Sequence, residues 1–233
     1  MKLLTLTTGI LLGTIILASC QQNIGEVALQ NELDSASYCI GVSIGSNIKN
    51  SPMKEINYDA MIRGFREVME DIDPEIDSYQ ANQIISSYMQ RLEMAVAEEN
   101  LIKGRDFLNK NGMRNGVITT ESGLQYEIIK EGYGPKPSLS DQVNVHYHGT
   151  LLDGTVFDSS LDKAPVTFEV GRVIKGWQEA MQLMPVGSKW TIWVPGELGY
   201  GIRPMPGGKI GPNDLLIFEV ELFDIVKAEP NQQ

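Results

Sequence analysis

The chain has 233 residues, of which 42% are hydrophobic and 21% are charged. This is the composition of an ordinary globular protein, and the length suits one large domain or two small ones. The formal net charge of −11 argues against the strongly basic proteins that bind nucleic acids through the phosphate backbone, so no nucleic-acid partner is expected.

The first twenty residues, MKLLTLTTGILLGTIILASC, combine one lysine, a long apolar run, small residues and a cysteine. This pattern predicts a signal peptide over residues 1–19, although the run is also near the length of a membrane anchor. The segment Leu17-Ala18-Ser19-Cys20 is similar to the bacterial lipobox, in which the cysteine is acylated and the peptide before it is removed. We therefore expect a lipid on Cys20 and a tether over residues 20–33.

Cys39 is the second cysteine of the chain. If Cys20 carries a lipid, no intramolecular disulfide can form, although the expected compartment is oxidising. The fold must then be stable without covalent cross-links.

Residues 34–113 show helical periodicity. Asp34 or Ser35 is predicted to cap the first helix, and Asn57 to cap the second. After the helix-breaking segment DIDPEID, a long helix is predicted from about 78 to 111. At ~1.5 Å per residue it would be on the order of 50 Å long, more than two short helices can cover. Part of its apolar stripe must contact another chain or lie bare on one side.

The hydrophobic period changes after NGMRNG, and strands and turns are predicted over residues 114–228, with 229–233 as a tail. The segments QVNVHYHGT, KWTIWV and LLIFEVELFDIV predict strands, IKGWQEAMQLM predicts one short helix, and Asp153-Gly154 predicts a hairpin turn. The fold class is therefore α+β. An all-helical N-terminal domain with a long connecting helix precedes a strand-rich domain that contains one short helix.

The two histidines, His146 and His148, lie on one face of a predicted strand, where two imidazoles could bind a metal. No third ligand is evident nearby, so no metal is expected and both are interpreted as solvent-facing residues. The opposite face directs Tyr147 inward together with two valines. A buried tyrosine hydroxyl needs a hydrogen-bond partner.

Two other motifs have competing interpretations. Gly41-Val42-Ser43-Ile44-Gly45 matches the nucleophile elbow of hydrolases, but that elbow follows a strand, and this segment is predicted to be helical. Glycines four residues apart favour close packing against another helix instead. The segment DIDPEIDSYQAN begins like a calcium loop but lacks the glycine at position six and the glutamate at position twelve. It is interpreted as a loop and helix start, and no cofactor is expected.

A group of mainly apolar and aromatic residues in the second half is a candidate pocket. The alternative is that these residues form core. A carboxylate beside a phenylalanine, and a tyrosine in a loop rich in glycine and proline, favour a pocket, because loop aromatics often line binding sites. The group consists of Tyr147, Phe157, Asp158, Val173, Ile174, Trp177, Tyr200, Ile210 and Phe218.

Five separated segments carry a resemblance to a known family: VHYHGTLLDGTVFDSS, VIKGW, MPVGSKWTIWVP, GYG and LLIFEVEL. In this order and at this spacing they resemble the FKBP family of peptidyl-prolyl cis-trans isomerases, over about residues 117–227. The helical half is similar to the N-terminal dimerisation domain of Mip-type bacterial FKBP lipoproteins. ASYCIGVSIGSNI and the long helix running into ESGLQYEIIKEG carry that similarity.

The resemblance implies a curved antiparallel half-barrel around the short helix, with Trp177 as the floor of the pocket. Proline-ring contacts are then expected from Phe157, Val173, Trp177 and Phe218, with Ile210 also lining the pocket. The N–H of Ile174 and the hydroxyl of Tyr200 are expected to donate hydrogen bonds to substrate carbonyls. Tyr147 and Asp158 are expected to pair near the carbonyl that rotates, so the expected catalytic residues are Tyr147, Asp158 and Tyr200.

Three features depart from the common pattern of the family. Val166 and Leu198 stand where many members have phenylalanine and tyrosine, and the loop IRPMPGGKIGPND looks one residue longer. These changes are expected to affect the pocket rim more than its floor. They bear on substrate preference and on the affinity for FK506-type macrolides, which the resemblance implies as possible inhibitors.

The expected function is a peptidyl-prolyl isomerase that assists the folding of exported, proline-containing polypeptides. One alternative is a membrane-tethered chaperone whose isomerase activity is weak or incidental, and another is a hydrolase that uses Ser43. Gln21 follows the lipidation site, without the aspartate usually associated with inner-membrane retention. In a cell with two membranes the expected location is therefore the outer membrane, facing the periplasm. In a cell with one membrane it is the outer face of the plasma membrane.

Overall fold

A computed structural model describes residues 27–204 and 207–226 of the chain. The chain divides into two compact units, Met1–Gly45 and Ser46–Gln233. The predicted signal peptide, the predicted lipidation site Cys20 and the predicted tail at 229–233 lie outside the described residues.

From residue 27 to the first strand, the structure describes three helices: α1 (Glu32–Lys49), α2 (Tyr58–Met69) and α3 (Ser78–Asn111). The long connecting helix is therefore confirmed. Asn57 caps α2 as predicted, because its Oδ1 accepts a hydrogen bond from the N–H of Ala60 at 3.0 Å.

α3 starts at Ser78, inside the segment that begins like a calcium loop, as predicted. Asp77 caps this helix, and its side chain and that of Gln80 satisfy each other's backbone N–H groups in a capping box. The prediction for α1 was wrong by about one turn. Asn31 accepts the hydrogen bond from the N–H of Asp34 at 2.9 Å, so Asp34 and Ser35 lie inside the helix.

The helices leave much of their apolar surface exposed. No residue of α1 or α2 is buried, and the three buried residues of α3 are Ala97, Gly104 and Asn111, all in its C-terminal half. The N-terminal half of α3 exposes apolar side chains such as Ile84 and Ile85. Of the helices in the described part of the chain, none combines the length and hydropathy needed to span a bilayer.

The C-terminal part contains an antiparallel sheet of seven strands in the order β1-β2-β6-β7-β3-β4, with β5 paired to β3 beside β4. Irregular register in three of the strand pairs bends and twists the sheet. The strands are β1 (Val117–Thr119), β2 (Gln125–Lys130), β3 (Gln142–Thr150), β4 (Val156–Ser159), β5 (Val166–Glu169), β6 (Lys189–Val194) and β7 (Leu216–Val226).

The core lies between one face of the sheet and the short helix α4 (Lys175–Leu183). The alternation predicted for the last strand is confirmed, because Leu216, Phe218, Val220 and Leu222 of β7 are all buried. From α4, Trp177, Ala180 and Met181 meet them. The C-terminal half of α3 packs elsewhere on the same unit, where Asn111 donates a hydrogen bond to Oε1 of Gln125 on β2 at 2.9 Å.

Candidate functional site

A cavity of about 500 Å³ is formed by residues of α4, of β3, β4, β5 and β7, and of the loop between β6 and β7. Most of its lining surface is apolar. All nine residues of the sequence-derived group line it: Tyr147, Phe157, Asp158, Val173, Ile174, Trp177, Tyr200, Ile210 and Phe218. The remaining lining residues are Phe168, Arg172, Pro204, Gly208 and Lys209.

Aromatic rings packed edge to face build the bottom of the cavity. Trp177, on the first turn of α4, is only 4% exposed. Its ring lies 5.2 Å from that of Phe218, 5.6 Å from that of Tyr147 and 5.8 Å from that of Phe168, all nearly perpendicular. Such contacts hold each ring in one orientation, so the apolar surface is formed before any ligand arrives.

Gly149 on β3 makes room for one of these rings. A Cβ at this position would lie 2.6 Å from two ring carbons of Phe157, so any other residue would displace that ring. The ring of Phe157 also packs edge to face on Phe218 at 5.3 Å. The glycine in HYHGT therefore helps to shape the cavity, although the sequence pattern alone does not reveal this role.

Tyr147 and Asp158 face each other across β3 and β4. The tyrosine hydroxyl donates a hydrogen bond to Oδ2 of Asp158 at 2.5 Å, and Oδ1 accepts one from the N–H of Ser159 at 2.9 Å. Burial raises the pKa of Tyr147 well above its usual range, and the hydrogen bond to Asp158 raises that pKa further. Tyr147 is therefore a neutral hydrogen-bond donor at any physiological pH.

Ser160 fixes the backbone of Tyr147. Its buried Oγ accepts a hydrogen bond from the N–H of Tyr147 at 2.9 Å, and its own N–H donates to the carbonyl of Tyr147 at 3.0 Å. These bonds fix the position from which the Tyr147 side chain reaches Asp158.

The histidines, which were interpreted as solvent-facing, are only partly exposed, because each of them contacts a serine side chain. Both are half-buried. Nδ1 of His146 lies 3.1 Å from Oγ of Ser160, Nδ1 of His148 lies 3.1 Å from Oγ of Ser159, and the ring of Phe223 packs against His146. Ser160 therefore contacts both His146 and the backbone N–H of Tyr147. Within residues 27–204 and 207–226, no group of three or more histidine, cysteine, aspartate or glutamate side chains could hold a metal ion.

The other predicted residues that lie outside helices and strands come from two segments, the turn before α4 and the loop after β6. Val173 and Ile174 lie between a 3-10 turn and α4, where Nε2 of Gln178 donates to the carbonyl of Val173 at 2.8 Å. Tyr200 and Ile210 lie on the loop that follows β6. Tyr200 lines the cavity and is 44% exposed, whereas Trp177 at the floor is 4% exposed.

Lys209 is a lining residue that the sequence patterns did not indicate. Its Nζ donates to the carbonyl of Val156 at 2.6 Å and so ties the same loop to β4. Leu198 packs against the hydrophobic core and is not among the described residues that line the cavity, so its effect on the rim stays a prediction. Ser43 lies in the middle of α1, without the strand-to-helix turn of a nucleophile elbow.

Comparison with known proteins connects this geometry to a family. The profile described as FKBP-type peptidyl-prolyl cis-trans isomerase matches residues 134–223, and the profile of the domain amino-terminal to it matches residues 33–128. The Outer membrane protein MIP of Legionella longbeachae is 44% identical over 211 residues, which cover 86% of this chain and 89% of that protein.

Two further proteins are similar to this chain over most of its length. Peptidyl-prolyl cis-trans isomerase Mip of Coxiella burnetii is 36% identical over 230 residues, or 95% of this chain and 96% of that protein. The crystal structure of FkpA from Escherichia coli has a TM-score of 0.65 at 31% identity and covers 85% of this chain and 98% of that one. The agreement includes both the helical region and the sheet. The chain therefore belongs to the FKBP-type peptidyl-prolyl cis-trans isomerase family, and its function is to catalyse prolyl isomerisation in support of protein folding.

Proposed function

We propose that the cavity floored by Trp177 is the isomerase site and that Tyr147, Asp158 and Tyr200 are its catalytic residues. The observation that carries this proposal is the short hydrogen bond between Tyr147 and Asp158 at the edge of a preformed aromatic cavity. The substrates are proline-containing segments of unfolded polypeptides.

The reaction requires rotation about an amide bond, with a barrier of about 18–20 kcal/mol that arises from resonance. No bond is broken, so no nucleophile is needed. The planar amide is more polar than the twisted transition state, in which the nitrogen and the carbonyl are decoupled. A water-excluding apolar cavity therefore binds the twisted form better than the planar one, and this difference lowers the barrier.

Each part of the cavity has a distinct role in this mechanism. Phe157, Val173, Trp177 and Phe218 hold the proline ring, and Ile210 covers it from the loop. The N–H of Ile174 and the hydroxyl of Tyr200 donate hydrogen bonds to substrate carbonyls on either side of the proline. Asp158, held by Tyr147, lies near the carbonyl that rotates.

The test is catalysis of cis-to-trans conversion of a short X-Pro peptide by the full-length protein and its variants. Asp158→Ala and Tyr200→Phe are expected to lower kcat/KM roughly tenfold each, since each removes one hydrogen-bonding group. Matched controls are Asp162→Ala, an exposed aspartate nearby, and Tyr133→Phe, a tyrosine that is 93% exposed. Unchanged catalysis in both site variants would refute the assigned roles.

A second, compatible function is chaperone binding of unfolded chains by the helical region. The exposed apolar side chains of α2 and α3, such as Phe65 at 59% and Ile85 at 59%, favour it. Full-length protein with Asp158→Ala should then still suppress aggregation of an unfolded protein. Loss of suppression together with isomerase activity would assign both effects to the cavity.

The same exposed surface supports a homodimer formed through the helical region. A groove between α2 and the start of α3 is lined by apolar residues that include Val68, Ile72, Ile84 and Ile85. Exposed apolar surface of this extent is typical of protein–protein contacts. A second copy of the chain is the proposed partner.

The proposed location is the outer membrane, facing the periplasm, with a lipid on Cys20 as the anchor. The lipobox-like segment before Cys20 and the name of the Legionella longbeachae relative support it. The parent protein should incorporate a labelled fatty acid, and Cys20→Ala should not. A membrane-bound parent that takes up no label would favour an uncleaved anchor.

An FK506-type macrolide is proposed as an inhibitor, because it would fill the same apolar cavity as the substrate. Val166, Leu198 and the loop IRPMPGGKIGPND after β6 are the features expected to change its affinity. Competition with the X-Pro peptide in the isomerase assay tests this.

A further inference from the structure

The loop between β6 and β7 joins the cavity to another part of the molecule. It supplies Tyr200 and Ile210 to the cavity lining. The two ends of the loop meet at its base, where the N–H of Asn213 donates a hydrogen bond to the carbonyl of Gly201 at 2.8 Å. Gly201 directly follows Tyr200, so the position of the Tyr200 side chain depends on how that base is held.

Asn213 has a constrained backbone. Its φ is +55°, in the left-handed region that asparagine tolerates better than most residues. A Cβ on Gly196 would lie 2.8 Å from both Cα and O of Asn213, so the two chain segments touch without a side chain between them. The junction therefore has one compact arrangement.

The C-terminal half of α3 holds this junction from outside. Nδ2 of Asn100 donates to the carbonyl of Pro212 at 3.0 Å, and Nδ2 of Asn213 donates to the carbonyl of Ala97 at 3.3 Å. One bond runs from helix to loop and the other from loop to helix. Both connect residues that are more than one hundred positions apart in sequence.

Apolar packing supports the two amide bonds. Leu215 is 2% exposed, and a Cβ on Gly104 of α3 would meet its Cβ at 3.4 Å. Arg105 and Glu197 form an ion pair at 3.2 Å. Because both side chains are more than half exposed, this pair adds little to the stability of the contact. The amides and the buried leucine therefore carry the contact between α3 and the loop.

We propose that Asn100 and Asn213 are positioning residues for the isomerase site. They clamp the base of the loop against α3 and thereby hold the hydroxyl of Tyr200 where a substrate carbonyl binds. In this arrangement the connecting helix is part of the catalytic unit as well as a spacer. The inference rests on the role proposed above for Tyr200.

The test combines Asn100→Ala with Tyr200→Phe in full-length protein. Alanine favours a helix more than asparagine does, so α3 itself is not weakened by the change. Asn100→Ala is expected to lower kcat/KM for an X-Pro peptide roughly fivefold, the change expected when one ordinary hydrogen bond is lost. Asn109→Ala, at an exposed position of the same helix, is the matched control and should have no effect.

A positioning role predicts non-additivity, which loss of fold stability does not. In the Tyr200→Phe background, Asn100→Ala should cause no further loss of kcat/KM, because it acts through the hydroxyl already removed. The amide hydrogen of Asn213 should also exchange faster in Asn100→Ala than in Asn109→Ala.

The outcomes separate this inference from the proposed site. If Tyr200→Phe lowers activity and Asn100→Ala does not, the clamp is overturned and the site stands. Equal losses from Asn100→Ala in both backgrounds would make it a structural residue only and also overturn the clamp. If Tyr200→Phe has no effect, the role of that hydroxyl fails and the inference fails with it.

Discussion

The hydroxyl of Tyr147 and Oδ2 of Asp158 lie 2.5 Å apart, in a hydrogen bond that links β3 to β4 at the edge of the cavity. Hydrogen bonds to an ionised acceptor are shorter and stronger than neutral ones. The pair therefore holds a carboxylate in a fixed position beside an apolar surface, where a free aspartate side chain would rotate.

The first prediction concerns the coupling of this pair. Tyr147→Phe and Asp158→Ala should each lower kcat/KM about tenfold, and the double variant should be little worse than either single one. Because each change already breaks the shared bond, the coupling energy should be about 1 kcal/mol or more. Peptide kinetics of all four proteins give this value, and fully additive losses would mean that the two residues act independently.

The second prediction concerns alkaline pH. The pKa of Tyr147 is raised in the fold, so its contribution to stability is fully present below the ordinary tyrosine pKa of about 10. The contribution is lost as the pH rises from there through the folded-state pKa. The stability difference between the parent and Tyr147→Phe should therefore be constant at neutral pH and shrink above about pH 10.

Urea unfolding at a series of pH values measures this difference. Tyr133→Phe is the control, since it removes an exposed hydroxyl outside the cavity. A stability difference that grows with alkaline pH would contradict the predicted direction.

The third prediction distinguishes the cavity floor from ordinary core. Trp177 and Trp193 are 4% and 5% exposed, but only the first lines the cavity. Phenylalanine at either position should lower the free energy of unfolding by about 1–3 kcal/mol, since both changes leave space behind. Trp177→Phe should also lower kcat/KM, whereas Trp193→Phe should leave it unchanged in folded protein.

Chemical denaturation and peptide kinetics on the same samples separate the two effects. Equal activity losses in the two variants would indicate a general effect of core packing rather than a special role for the floor.

The fourth prediction concerns self-association. Ile84 on α3 is 53% exposed in the groove with α2, and Ile129 on β2 is 56% exposed. Ile84→Lys should weaken the proposed dimer, because burying a lysine amine in an apolar contact is unfavourable. Ile129→Lys should not. Sedimentation equilibrium reports the association, and peptide isomerisation should be unchanged in both variants.

The bounds of α2 and α3 and the buried face of β7 followed largely from local signals. The cap of α2 at Asn57, the length of α3 and the alternation along β7 depend on residues close in sequence, and the structure agrees with each. The start of α1 was misplaced because Asn31, Asp34 and Ser35 are all good capping residues, and propensity alone does not choose among them.

The hydrogen bonds of the two histidines could not be predicted from local signals. His146 and His148 were interpreted as solvent-facing because they share a strand face with Asn144. Pairing with Ser160 and Ser159 half-buries them, and that pairing depends on how the chain returns after the hairpin. Strand register decides such contacts, and alternation within one strand does not report it.

The sequence by itself determined the hydrophobic period of each segment and the face on which each side chain lies. Several separated motifs also determined the family. Only the tertiary structure decided which distant segments meet. It brought Asn100 of α3 to the carbonyl of Pro212 and Lys209 to the carbonyl of Val156. The physical reason is that periodicity arises from the local geometry of the chain, whereas these hydrogen bonds exist only after packing has brought remote donors and carbonyls together.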